Sequence, residues 1–326
     1  MPKIVCMLVY ADAQSLDISG PLEVFALASR QAQEDDPGSA PLYRLHVMAK
    51  QAGPIALASG MQLLPDLLCA QMPDDVDTLL VSGGMGDALD RVRADAELVQ
   101  WLRAIAPRVR RIASVCSGAL LLAQAGVLDG RKATTHWRDV AELRQRYPQV
   151  HVEADAIYTQ DGPVWTSAGI TAGMDLALAM VAADHGQALA LKVAKRMVMV
   201  SKRSGGQSQF SRQLDELELP DPFAQLAIWI RDHLRSQLDV GRLAQRVHMS
   251  PRQFGRRFQT LFGTTPQKYV EQLRVEAAKP LLESTGKEFK RIAVDCGFSS
   301  DEAMRRAFVR QLGVRPSDYR ERFGSA

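Results

Sequence analysis

Two fold classes are predicted along this 326-residue chain: a mostly parallel α/β domain in front and an all-α domain with two helix-turn-helix units behind. Three observations predict them. Short apolar runs alternate with helical patterns over the first two hundred residues, which argues for a parallel sheet covered on both faces. Twice in the last hundred residues a short helix, a turn and a basic amphipathic helix follow one another at helix-turn-helix spacing. Charge divides at the same place: residues 1–222 hold 21 Lys/Arg against 26 Asp/Glu, whereas 223–326 hold 19 against 11. A net −5 in front and +8 behind directs the back half toward a polyanion.

The front strands are expected at KIVCMLVY (3–10), YRLHVMA (43–49), TLLVSGG (78–84) and RIASV (111–115). Helices fit best at about 21–32, 95–106, 117–126, 137–146 and 172–185. Ligands of such sheets bind at the carboxyl ends of the strands. Three stretches converge there. LDISGPLEVF (16–25) places Asp17 after the first strand, with Gly20-Pro21 expected to open a helix. VSGG (81–84) offers Gly83 and Gly84, whose backbone N–H groups are expected to approach a small ligand. SVCSGALLLAQAGVLDGRKATTHW (114–137) sets Cys116 between a strand and a helix, followed by Ser117 and Gly118, the sharp turn that presents a nucleophile on other folds. A thiol at a helix N-terminus is expected to have a lowered pKa and an accessible thiolate.

In the back half, IAVDCGFSSDEAMRRAFVRQLGVRPSDY (292–319) gives the clearest pattern. Gly297 ends a short helix, Phe298 packs the turn, and Ser300 takes the N-cap position, with Asp301 and Glu302 in the first turn where negative charge suits the helix dipole. In the following helix, 301–312, the apolar residues Ala303, Met304, Ala307, Phe308 and Leu312 recur at three- and four-residue steps, leaving Arg305, Arg306 and Arg310 outside. Gly313 stops it, and Pro316 opens a last helix ending near Phe323. An earlier copy has a short helix over 240–247, Met249 in the turn, Ser250-Pro251 as cap and first helical position, and a helix 251–262 that shows Arg252, Arg256 and Arg257. A helix beginning near Pro266 joins the two, and Lys279-Pro280 inside it is expected to kink it.

The four cysteines suit neither a zinc site nor a disulfide framework, and the six histidines lack metal-ligand spacing, so no metal and no cofactor is expected. No apolar run reaches a membrane span and no charged-then-apolar leader opens the chain, which predicts a cytoplasmic protein. KRSGGQSQFSRQLDELELPDPF (202–223), with Gly205-Gly206 and Pro220-Asp-Pro222, reads as a linker. The expected division is therefore 1–201, a linker 202–222, and 223–326.

The motifs of the back half, GFSS…F…G…P..Y in particular, resemble the AraC/XylS family of DNA-binding domains over roughly 223–323. The front half, 3–186, resembles the DJ-1/PfpI superfamily, related to class I glutamine amidotransferases, which implies a flavodoxin-like sheet. By that resemblance Cys116 is the elbow cysteine, Asp17 the carboxylate that contacts it, and His136 the histidine of the TTH motif. Protease-like members have His directly after the cysteine; here Ser117 stands instead. The combination, with the GGQ.QF stretch between the halves, resembles GlxA-type regulators.

The resemblance implies a DNA-binding transcriptional regulator, not an enzyme, that binds a nitrogen-containing metabolite in a pocket formed by Asp17, Gly83, Gly84, Cys116, Ser117 and His136. Its implied partners are promoter DNA, the small-molecule effector, a second copy of the chain through the front domain and, as a further candidate, RNA polymerase; it would be nucleoid-associated when DNA-bound. Base-facing positions would be Arg252, Gly255 and Arg256, then Asp301, Glu302, Arg305 and Arg306, with Arg257, Lys268, Arg310 and Arg315 facing phosphates. The alternative is a cysteine-dependent hydratase or amidohydrolase-like enzyme, in which Cys116, Asp17 and His136 act on a small molecule and DNA binding is accessory.

Overall fold

The computed structural model describes residues 1–199 and 221–323. It divides into two units, Met1–Gln207 and Ser208–Ala326. The predicted linker 202–222 lies almost wholly outside the described residues.

In the first unit the strands are β1 (Lys3–Leu8), β2 (Tyr43–Ala49), β3 (Ile55–Ala56), β4 (Gln62–Leu63), β5 (Leu67–Leu68), β6 (Val76–Val81), β7 (Arg111–Ser114), β8 (Lys132–Ala133), β9 (His151–Val152), β10 (Tyr158–Asp161) and β11 (Val164–Ser167). Seven of them form one sheet in the order β10-β11-β7-β6-β1-β2-β5. All its pairings are parallel except the hairpin β10–β11 at one edge.

Alternation along β1 explains its unbroken apolar run. Ile4, Cys6 and Leu8 enter one core while Val5, Met7 and Val9 enter the other. The helices α1 (Ser15–Asp35), α6 (Ala172–His185) and α7 (Gln187–Arg196) pack together, with α1 and α6 lending their apolar residues to the second core. The helices α2 (Asp87–Ala94), α3 (Ala96–Ile105) and α4 (Gly118–Gln124) line the first core, and α5 (Val140–Arg146) adds Leu143 to it. Because β1 pairs with β2 on one side and β6 on the other, the chain reverses its direction of travel there, and a crevice opens at the carboxyl ends.

One helix start differs from expectation. α1 begins at Ser15, and Gly20-Pro21 lie inside it. They mark a close helix–helix contact instead. A Cβ on Gly20 would come within 3.0 Å of Met174 Cγ, and one on Gly173 within 3.1 Å of Pro21 Cγ, so α1 and α6 meet where their side chains are smallest or flattest.

The second unit is wholly helical in its described residues: Asp221–Asp232, Val240–Arg246, Pro251–Phe262, Pro266–Ser284, Phe289–Asp295, Asp301–Leu312 and Pro316–Phe323. It has two cores. Phe254, Phe258, Leu243 and Phe223 centre one, and Met304, Ala307, Phe308 and Ile292 the other. The long helix Pro266–Ser284 serves both, giving Tyr269, Val270 and Leu273 to the first and Val275, Ala278 and Leu282 to the second. It remains helical across Pro280, four residues before its end, although the ring removes the N–H that would bond the carbonyl four residues back. Beside it Lys279 is buried and paired with Glu276 at 2.7 Å.

Candidate functional site

At the switch point the chain turns sharply from β7 into α4. Cys116 takes a left-handed backbone conformation, φ 55°, costly for a residue with a side chain. Its N–H donates to the Ala168 carbonyl at 3.0 Å, and its carbonyl accepts from the Thr135 hydroxyl at 3.0 Å. Gly118 allows the helix to start close under β6, since a Cβ there would stand 2.5 Å from the Val81 carbonyl oxygen.

Asp17, from the first turn of α1, is fully buried beside this elbow. Its Oδ2 accepts from the Gly83 N–H at 3.2 Å and lies beside Cys116, while Oδ1 has no hydrogen-bond partner. Burial dominates and pushes the carboxyl up to about 7. The thiol is likewise driven upward, first by burial and then by the Asp17 charge. The expected lowering at the helix N-terminus is thus overturned: α4 has only seven residues, and desolvation and a neighbouring carboxylate outweigh its dipole.

The glycines and Ser117 also differ from expectation. The Gly83 amide donates to Asp17, and the Gly84 amide donates to Ser117 Oγ at 2.9 Å, while the Ser117 hydroxyl donates back to the Gly84 carbonyl. These groups lock the end of β6 to the elbow instead of facing a ligand. Glycine is required at 83 because a Cβ would come within 2.4 Å of Asp17 Oδ2. His136 is half-buried, with its Nδ1 accepting from the Arg138 N–H at 3.3 Å. Burial, then the Arg138 charge, lowers its pKa. Among the described residues no hydrogen bond joins His136 to Cys116, so the two that touch are Asp17 and Cys116.

Tyr10, which the sequence reading did not single out, forms a wall here. Its hydroxyl donates to the Ser82 carbonyl at 3.2 Å, and its ring fills the space over Gly84. The same residue lines a cleft of about 460 Å³ at the ends of β1 and β2, bordered also by Lys50, Arg91 and Asp95. That volume is in the usual range for small-molecule sites. The only sequence signal was an aromatic ending the first apolar run.

In the second unit both basic helices start as expected. Ser250 caps Pro251–Phe262 in a capping box with Gln253, and Ser300 accepts from the Ala303 N–H at 3.1 Å. Arg252, Arg256 and Arg257 are exposed and carry no ion pair among the described residues. Gly255 lies on the same helix with open space where a Cβ would be. On Asp301–Leu312, Arg305 and Arg306 are exposed, but Arg305 forms two hydrogen bonds with Glu302, at 2.6 and 2.8 Å. Arg310, expected to face phosphate, is held by both oxygens of Glu271 on the long helix. Arg257, Lys268 and Arg315 remain exposed.

Within the second unit, the two helix-turn-helix elements are tied together by backbone contacts around Leu234. Arg274, in the middle of the long helix, donates to the Leu234 and Ser236 carbonyls, and Gly297 in the second turn presses on the Leu234 carbonyl, where a Cβ would collide at 1.9 Å.

A buried cysteine–carboxyl pair at the switch point of a parallel sheet, in a chain that goes on to two capped basic helices, defines a helix-turn-helix protein with an enzyme-like front unit. The chain belongs to the DJ-1/PfpI family, which residues 3–183 match, and residues 243–322 match a helix-turn-helix domain. It is similar to the HTH-type transcriptional regulator CdhR of Pseudomonas aeruginosa, 31% identical over 86% of this chain and 82% of that one. It is also similar to the regulator GlxA of Rhizobium meliloti, 28% identical over 87% of each. The front half resembles isonitrile hydratase of Pseudomonas putida, 32% identical over 53% of this chain and 68% of that enzyme. Among solved structures, a ThiJ/PfpI family protein from Pseudomonas syringae superposes with a TM-score of 0.54 at 27% identity, covering 62% of this chain and 77% of that one. Among the described residues no helix is long and apolar enough to cross a membrane, and no group of three His, Cys, Asp or Glu side chains is assembled to hold a metal.

Proposed function

We propose that this chain is a sequence-specific DNA-binding transcriptional regulator whose front unit binds a small nitrogen-containing metabolite. The observation that carries the DNA-binding part is the pair of serine-capped helices, Pro251–Phe262 and Asp301–Leu312, each presenting exposed arginines and both packed on one connecting helix. Arg252, Arg256, Arg305 and Arg306 read base edges, and Arg257 meets the backbone. The effector occupies the crevice around Asp17, Cys116 and His136 and the cleft that shares Tyr10 with it. It acts through its different affinity for DNA-competent and incompetent arrangements. The protein works as a cytoplasmic homodimer joined through its front unit and contacts RNA polymerase at its promoters.

Footprinting with the full chain tests this reading. Arg305→Ala and Arg306→Ala are expected to weaken specific binding and relax preference at single bases; footprints identical to wild type would remove the assignment.

One observation favours a second reading. The buried Asp17–Cys116 contact lies in the half of the chain that resembles isonitrile hydratase, and a carboxyl near 7 can exchange a proton at neutral pH. Cys116→Ala separates the two. Under the regulatory reading it keeps effector-dependent DNA binding. Loss of that response, together with isonitrile turnover by the wild type, would establish the enzyme.

A further inference from the structure

The two helix-turn-helix units carry very different charge. Residues 240–270 contain six Lys/Arg and no Asp or Glu, whereas residues 289–323 contain eight Lys/Arg against five Asp/Glu. The ion pairs sharpen the contrast. In the first unit the exposed guanidiniums of Arg252, Arg256 and Arg257 are uncompensated among the described residues. In the second, Arg305 is bridged to Glu302 and Arg310 to Glu271, so that of the three arginines on that helix only Arg306 stands without an ion pair among the described residues.

We infer that the units divide the work of DNA recognition. The first supplies the larger share of the phosphate affinity, with Arg257 on the backbone beside the base-reading Arg252 and Arg256, and Glu302 of the second acts as a discriminating residue that admits a cytosine amino group at the position it reaches and rejects a base that presents an acceptor there. This rests on the DNA-binding reading above.

The physical argument has three steps. Affinity for a duplex is dominated by cations that displace condensed counterions, and uncompensated arginines do this where pre-paired ones do not. Arg310 is therefore withdrawn from that role, because a phosphate would have to compete with both Glu271 oxygens. Glu302 sits in the first turn of the recognition helix, with its side chain 51% exposed. A carboxylate there meets the negative potential of the groove, and it is tolerated only where it can accept a hydrogen bond from a base amino group, cytosine N4 being the usual partner. Its two hydrogen bonds to Arg305 hold it in a fixed orientation, so the helix arrives with donor and acceptor already side by side. That arrangement suits a G·C pair, with Arg305 toward guanine and Glu302 toward cytosine.

The test uses the full chain, the Glu302→Ala, Arg257→Ala and Arg310→Ala variants, and a random-sequence duplex library from which each protein selects its sites. Wild type should select a defined sequence containing an invariant C·G pair. Glu302→Ala should lose the preference at that single position, by on the order of ten-fold, keep the others, and bind unselected duplex more tightly than wild type. In salt titrations Arg257→Ala should lower the log–log slope by about one, and Arg310→Ala should leave it unchanged. A Glu302→Ala selection profile identical to wild type overturns the inference, as does an Arg310→Ala slope loss equal to that of Arg257→Ala. If wild type selects no sequence at all, the DNA-binding reading itself fails, which is a separate outcome.

Discussion

Asp17 is held in its neutral form by the cost of burying its charge beside Cys116, with the Gly83 amide opposing that cost only in part. In the unfolded chain the same carboxyl titrates near 3.8. Below that value both states are protonated and the group favours neither. As the pH rises toward about 7 the unfolded state ionises first, so stability is lost through this window and levels off above it. Asp17→Asn, which keeps an acceptor for Gly83 but cannot ionise, is expected to match wild type near pH 4 and to exceed it by a few kcal/mol, in order of magnitude, at pH 8. Denaturant unfolding at the two pH values measures this, and an equal difference at both would refute it. The carboxyl–thiol neighbourhood was legible in the sequence through the resemblance. The direction of the thiol shift was not, because burial depends on what the rest of the fold stacks over the elbow.

The two helix-turn-helix elements show how one local pattern meets different surroundings. Both turns need a left-handed residue after the short helix. The second uses Gly297, φ 82°, and the first uses His248, φ 54°. Glycine is obligatory in the second because the Leu234 carbonyl occupies the place of a Cβ, while His248 is exposed and pays only the backbone strain. Gly297→Ala is expected to destabilise by about 2–5 kcal/mol, and His248→Gly to be neutral or stabilising by up to about 1 kcal/mol. Thermal unfolding compares them, and equal effects would show that the close approach is unimportant. The caps, the turn glycine and the arginine faces were all readable at one-residue precision, since each depends on neighbours within four residues. Pairing of Arg310 with Glu271 was not, because those residues lie 39 apart and meet only when the long helix packs against the recognition helix.

Across the first unit, an ionic cluster lies at the amino ends of the strands. Arg111 and Asp184 are both nearly inaccessible and bonded to each other, and Asp184 also accepts from Tyr43 at 3.0 Å and from Arg110 at 2.8 Å. Removing one member strands a buried charge. Arg111→Ala is expected to cost about 3–5 kcal/mol, measured as a shift in denaturant midpoint, whereas a change below about 1 kcal/mol would mean that water reaches the site. No sequence rule flags Arg111, which opens a strand and reads as a surface residue at its end.

By itself the amino-acid sequence determined the two fold classes, the place where charge changes sign, four of the seven strands of the main sheet, the elbow around Cys116 and the serine-capped basic helices. All of these rest on periodicity, capping and turn chemistry, which act over a few residues. The tertiary structure decided which polar groups face inward, and so decided that Gly83, Gly84 and Ser117 bind one another, that the Cys116 thiol is raised, and that Glu302 and Glu271 hold two of the second unit's arginines. Those outcomes depend on desolvation and on partners distant along the chain, or, for Glu302, on the rotamer chosen among exposed neighbours, and only packing brings these terms into play.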